Sequence, residues 1–357
     1  MGPGPRPCVE VSLVTTVIAW IVVFGVLITI HELGHYVMAK VMDIRVDEFS
    51  LGFGPAVLKR QRGETLYAVR ALPLGGYVRM AGMDPTEEQA GPPDPRAYPT
   101  KPLWQRFLVI FAGPVMNLVL AAVVYMIAFG PVGMPAYTNT IGALLKGFPA
   151  YAAGIRPGDT IVNVDGAAIR TWNELSTAIS RNDARPIHLV VRTKTGALRR
   201  YVVGTKYYAP ANGRIIGVEP AARTVHLPLF QAIGAGVGQT VALTGSWFTA
   251  LARLLDGRGA FNVSGPVGIA VMVGQAVQQG WVSVLLLGAA LSANLGLFNV
   301  LPVPVLDGSR LWLLGLEAVR RRPLDPLKEN MIHMVGLVLL LAFVVFVTYH
   351  DLLRLVG

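Results

Sequence analysis

The chain has 357 residues, room for two or three domains, and 53% of them are hydrophobic while 15% are charged. That balance excludes an ordinary soluble protein and points to the membrane class. The formal net charge of +10 does not indicate nucleic acid, because the basic residues interrupt long apolar runs and form no dense Arg/Lys tract with aromatics. With Cys8 the single cysteine, neither an internal disulfide nor a thiolate metal cluster can be built.

In chain order, the first feature is an uncharged apolar run at 11–30, about 30 Å long as a helix and so able to cross the hydrocarbon core. It exceeds a usual signal-peptide core and has no small-x-small cleavage site before the charged residues that follow, so it is expected to remain as a span. Further runs at 107–131, 281–301 and 332–349 bring the expected spans to four. Basic residues crowd the loop between the first two spans, Lys59, Arg60, Arg62, Arg70 and Arg79 among them, and recur as Arg320, Arg321 and Arg322 after the third. The positive-inside rule makes both loops cytoplasmic and leaves both termini outside. The basic region 137–228 weighs less, since long segments translocate largely regardless of charge.

Within the first loop, 66–80 alternates imperfectly around Gly75 and Gly76, and 51–58 is apolar and punctuated by Gly and Pro. Together they predict a β-hairpin-like re-entrant segment, its backbone satisfied by protein or a water-filled cavity. Residues 83–102, rich in Pro, Asp and Glu, read as a surface linker. Strand patterns at 160–164 and 187–191, with a helical pattern at 171–180 behind a Thr cap, predict a small soluble α+β domain. The stretches 229–255 and 266–279 mix apolar residues with Gly, Gln and Thr, which suits amphipathic helices at the interface better than spans. The expected organisation is a first span in 1–40, a cytoplasmic loop 41–103 and a second span in 104–131. The soluble domain at 137–227 and interfacial helices in 228–280 follow, then a third span in 281–322 and a fourth in 331–352.

The chemistry starts with His31-Glu32-Leu33-Gly34-His35, an H-E-x-x-H pattern. Residues four apart share one helix face, so both imidazoles can bind one ion while Glu32 sits beside its open position. There a carboxylate can take a proton from a zinc-activated water and pass it to the leaving amine, hydrolysing a peptide bond without a covalent intermediate. Three polar side chains on a membrane helix are costly without such a task. Two histidines need a third protein ligand, and Asn299-Val-Leu-Pro302-Val-Pro304-Val-Leu306-Asp307-Gly308 offers one. Pro302 and Pro304 break the third span, and Asp307 on that break is an expensive carboxylate that a cation would stabilise. The bland alternative is a loop-capping Asp already in water. Zinc is the expected ion, although two imidazoles and a carboxylate also suit iron or cobalt.

HExxH on a first span paired with N-x-x-P-x-P-x-L-D-G on a later one resembles the site-2 protease family, nearest to its bacterial RseP/RasP class. Phe111-Ala-Gly113-Pro114-Val-Met-Asn117 looks like the family's second-span motif, Leu74-Gly75-Gly76-Tyr77-Val78 like its re-entrant loop, and Ser264-Gly265-Pro266-Val267-Gly268 like its segment before the third core span. The resemblance implies zinc ligands His31, His35 and Asp307 with Glu32 as general base, and puts Asn299 near the active site. There Asn299 either contacts substrate or a developing oxyanion, or satisfies carbonyls of the broken helix. For Asn117 the expected role is structural, an amide bridging helices that Gly113 and Pro114 let close together.

The segment 151–166 looks like the core of a bacterial PDZ domain, with turns at Gly154, Pro157-Gly158 and Asp165-Gly166. The RseP class often carries two such domains, and the interval here fits one. It serves either as a peptide binder by strand addition or as a steric guard. The re-entrant segment similarly either plugs the cavity or offers an edge to an unwound substrate. The whole predicts an α-helical integral membrane protein with four spans, a re-entrant hairpin-like loop and one extracytoplasmic α+β PDZ domain. By resemblance it is a multi-pass zinc metalloprotease of the bacterial inner membrane. The implied substrates are single-span membrane proteins, such as anti-sigma factors or remnant signal peptides, unwound before attack. A silent adaptor should lack Glu32 or a ligand, and a metal transporter should show repeats or several intramembrane acids; the sequence shows neither departure.

Overall fold

Residues 13–83, 94–180, 185–208, 213–256, 264–322 and 326–356 are described by the structure, a computed structural model. Cys8 and positions 84–93 of the expected linker lie outside the described residues. The chain begins with α1 (Leu13–Val41), β1 (Val46–Arg62), β2 (Thr65–Met80), a 3-10 turn at Tyr98–Thr100, and α2 (Leu103–Ile127). Next come β3 (Met134–Leu144), α3 (Pro149–Ala152), β4 (Thr160–Val164), β5 (Ala167–Ala168), α4 (Trp172–Ser180) and β6 (Ile187–Arg192). β7 (Leu198–Val203), β8 (Lys206–Tyr208), β9 (Gly213–Ile215) and β10 (Val218–Val225) precede α5 (Leu229–Leu255), α6 (Pro266–Gln279), α7 (Trp281–Phe298), α8 (Asp307–Arg320) and α9 (Pro326–Val356). Contacts divide these into two units, Met1–Ala128 with Pro228–Gly357, and Phe129–Leu227.

In the first unit, four helices among the described residues are long and apolar enough to cross a membrane: Val14–Val41, Leu103–Val132, Trp281–Phe298 and Met331–Arg354. They turn Ile18, Val22, Val119, Val338 and Leu339 outward, an arrangement stable only where the surroundings are themselves apolar. α2 is the centre, with α1, α5, α7 and α8 packed on it. Small residues set these contacts. A Cβ on Gly34 would lie 2.5 Å from the Ala112 carbonyl oxygen, and one on Gly296 would lie 2.8 Å from that of Pro114. α5 reaches α7 through a 2.8 Å hydrogen bond from Trp247 Nε1 to Asn294 Oδ1. At the far end, buried Asp351 of α9 accepts the Gly268 N–H at 2.7 Å, a carboxylate at the positive end of α6.

β1 and β2 form one bent sheet. The chain reverses at Gly63, while Gly75 and Gly76 lie inside β2. Partner numbers run oppositely from Glu48↔Arg79 to Leu51↔Gly76 and again from Leu58↔Val69 to Arg62↔Thr65, but rise together from Glu48↔Leu66 to Leu51↔Val69. The 46–51 segment is therefore central, with 76–80 on its outer side and 66–69 on the other. Gly52 and Gly54, at φ 90° and 84°, supply the bend. Buried Glu48 ties the segments together, accepting hydrogen bonds from Arg70 Nη2 at 2.5 Å and Tyr77 Oη at 2.8 Å. Glu64, beside the reversal, holds the sheet to the end of α1 through Lys40 and to the 94–100 segment through Arg96. Hydrogen bonds from Arg96 and Lys40 keep its pKa down at about 2. The contribution of these bonds is thus complete at neutral pH and is lost only as pH falls through that value.

The second unit has strand order β10-β3-β4-β6-β7, with β5 paired to β4 and a separate β8–β9 pair. α4 starts with a capping box: Glu174 N–H donates to Thr171 Oγ1, and Glu174 Oε2 accepts from the Thr171 and Arg170 amides. Its Leu175 and Ile179 enter a core with Ile141, Ile161, Leu189, Val191 and Ile216. Asp165 and Gly166 make the tight turn after β4 with φ 49° and 89°. Leu175 is fully buried, so Leu175→Ala is expected to destabilise this unit by about 2–5 kcal/mol, measured as earlier chemical unfolding of the detergent-solubilised chain.

Candidate metal centre

His31 and His35 lie one turn apart on α1 and face α2. Gly34 brings the two backbones together, and Gly113 leaves the space that the imidazoles fill: a Cβ there would collide with His35 Nε2 and sit 2.9 Å from His31 Cε1. Both histidines are buried. α7 ends at Phe298, and Pro302 and Pro304, having no N–H, prevent the helix from continuing. The Val303 N–H turns back to the Leu301 carbonyl at 2.6 Å and that of Leu306 to Val303 at 3.2 Å. Val305 is held at φ 76°, a left-handed conformation that costs a β-branched residue about 1–3 kcal/mol. This turn starts α8 at Asp307, whose Oδ2 lies 2.8 Å from His31 Nε2 and 3.0 Å from His35 Nε2. The two Nε2 atoms are 3.2 Å apart.

These atoms suit a cation better than each other. His35 Nδ1 donates to the Val109 carbonyl at 2.9 Å, so in the neutral ring its Nε2 lone pair is bare and points at a carboxylate. His31 Nδ1 lies 3.1 Å from Asn117 Nδ2, while Asn117 Oδ1 is buried without a hydrogen-bond partner, which the opposite amide orientation would give it. An Asn117 that presents Oδ1 to an Nδ1 proton leaves the second Nε2 bare as well. Three lone-pair donors facing one point repel unless a cation lies among them. Tetrahedral zinc with bonds of 2.0–2.1 Å separates its ligand atoms by about 3.3 Å, close to the spacings found.

The family-level identity of this arrangement comes from comparison. The model of peptidase family M50 matches residues 19–343, nearly the whole chain. The chain belongs to peptidase family M50. Among similar proteins are zinc metalloprotease RasP of Geobacillus kaustophilus, 31% identical over 96% of this chain and 99% of its own length, and that of Oceanobacillus iheyensis, also 31% identical with the same coverage. The regulator of sigma-W protease RasP of Bacillus subtilis is 29% identical over 96% and 99%. This M50 chain is accordingly a multi-pass membrane zinc metalloprotease of the site-2 protease type, in the RseP/RasP class.

Of the residues singled out in the M50 sequence, His31, His35 and Asp307 come together as a group with ligand-atom spacing. Glu32 faces the sheet: a Cβ on Gly76 would lie 3.4 Å from its Cγ. Asn299 is the buried C-terminal cap of α7, its N–H on the Leu295 carbonyl. The Asn117 amide reaches across from α2 to His31 on α1, a contact between helices of the expected kind, and its backbone carbonyl adds a second, accepting Ser292 Oγ of α7 at 2.8 Å. The Val109 carbonyl carries no mark in a sequence, because every residue has one. Gly113→Ala is expected to insert normally but to lose bound zinc on purification, since neither imidazole can retreat; metal analysis of the purified protein against wild type checks this.

Proposed function

We propose that His31, His35 and Asp307 hold the zinc and that Glu32 is the general base of an intramembrane peptide hydrolysis. The convergence of two imidazole Nε2 atoms on Asp307, with Glu32 one residue from the first of the histidines, carries this reading. When bound, zinc supplies positive charge that polarises the scissile carbonyl and lowers the pKa of water. Glu32 takes the proton from water and delivers it to the leaving nitrogen. Asn299, buried at the end of α7, contributes a hydrogen bond to substrate or to the oxygen that becomes negative.

A transmembrane substrate hides its peptide bonds in its own helix, so it must unwind before attack. The 41–103 segment supports a device for that. Its outer strand 76–80 passes Glu32 at Gly76 and offers an edge to which an extended chain can add. The exposed Phe53, Val57, Leu58 and Leu72 suit a re-entrant placement of this sheet. In the second unit, β10 is an edge strand, which supports a PDZ-type domain at 137–227 that adds a peptide strand on the extracytoplasmic side. Basic loops before α2 and after α8 support cytoplasmic placement of both, with the two termini outside the inner membrane. The name of the Bacillus subtilis relative, a regulator of sigma-W, supports single-span anti-sigma factors as substrates, with remnant signal peptides the other class of the same shape.

Glu32→Gln keeps the size and removes the base. The variant is expected to retain zinc while cleavage of a tagged single-span substrate falls by about 10²-fold or more. Cleavage at the wild-type rate would remove Glu32 from the mechanism, and a wild-type protein purified without zinc would overturn the ligand assignment.

A further inference from the structure

Asp307 reaches the histidines only while the start of α8 stays beside α1 and α2, yet α8 follows a two-proline turn that does not by itself fix a helix direction. On α8, Gly308, Leu311, Leu314 and Glu317 follow one another at intervals of three, each beside the next in a row that winds round the helix; the first three are buried and Glu317 is partly so. Apolar contacts along such a row are non-directional and tolerate sliding or rotation. Its last member is different. Glu317 Oε1 accepts a hydrogen bond from Arg106 Nη2 at 2.6 Å, and the two side chains are only 15% and 16% exposed. Arg106 Nε is buried without a hydrogen-bond partner, and Glu317 is the acceptor for this guanidinium, through Nη2, among the described residues.

Arg106 belongs to the same α2 stripe that builds the metal centre. Arg106, Val109, Gly113 and Asn117 follow one another at intervals of three or four residues, one above the next along a helix face. Val109 orients His35, Gly113 makes room for both imidazoles, and Asn117 orients His31. From Asp307 to Glu317 is about 15 Å along α8, so the ion pair grips the helix far from its functional end.

We propose that Arg106 and Glu317 are positioning residues: their ion pair sets the rotation and axial position of α8 on α2, and thereby holds Asp307 at the distance from His31 and His35 that zinc binding requires. This rests on Asp307 being the third ligand. A buried ion pair is weak evidence for stability, because an apolar pair of similar size can replace it without loss, but a directional contact among non-directional ones specifies a register.

The test separates stability from register. Full-length wild type, Glu317→Gln, the double variant Arg106→Met/Glu317→Met, and Asp307→Ala are purified in detergent. For each, the thermal midpoint, the rate of zinc loss to a chelator, and kcat and KM on a tagged single-span substrate are measured. Glu317→Gln is expected to lose zinc about tenfold faster, with kcat lowered and KM little changed. The double variant is expected to recover the thermal midpoint but keep the fast zinc loss. If the double variant restores both, the pair is merely structural and the proposal is overturned. That double variant decides the matter even if Glu317→Gln fails to fold. Zinc loss unchanged in Glu317→Gln and in the double variant, but accelerated in Asp307→Ala, also overturns it and leaves the ligand set standing. Unchanged zinc loss in Asp307→Ala overturns the ligand set itself.

Discussion

Bringing three electron-pair donors to one point, within an apolar helix bundle, is the constraint on which the structure turns. With both rings unprotonated, two imidazole nitrogens and a carboxylate oxygen within 2.8–3.2 Å of one another repel in a medium that screens poorly, and the proposed cation removes that repulsion. What surrounds the centre serves to keep the donors aimed. Val109 and Asn117 occupy the outer nitrogens of the histidines, and Gly34 and Gly113 remove the bulk that would keep α1 and α2 apart.

α2 is thus a template more than a spacer. One of its faces orients both histidines, and its Arg106 reaches Glu317 on α8. α7 packs on it through Gly296 and Ser292. This explains how residues 276 positions apart, His31 and Asp307, can meet reproducibly: neither element carries the geometry alone, and both are referred to a third. The turn between α7 and α8, with Val305 in a strained conformation, is tolerable because both of its flanks are held.

The bent sheet and the centre are coupled through Glu32. The side chain proposed to handle the proton faces Gly76 in the outer strand of the sheet. An extended substrate added to that edge would be presented to the base and the metal together. The sheet's internal ion pairs, Glu48 with Arg70 and Glu64 with Lys40 and Arg96, give the edge a fixed place relative to α1, so that chemistry and substrate alignment share one frame.

The four apolar helices and the HExxH pattern were legible in the sequence because each depends on local spacing: apolar run length for a span, a four-residue interval for two imidazoles on one face. The proline break before Asp307 was legible for the same reason, since proline's missing N–H acts wherever it occurs. Membership of the site-2 protease family could be recognised from those motifs together. The tertiary structure alone decided which carbonyl orients His35, that the Asn117 amide finds His31 and its backbone carbonyl Ser292, and that Arg106 finds Glu317. It also decided that 46–51 lies between two segments of β2 in a mixed sheet, where residue alternation suggested only a hairpin. These are pairings between distant parts of the chain, set by which backbone or side chain is nearest once helices pack, and no interval along the sequence encodes them.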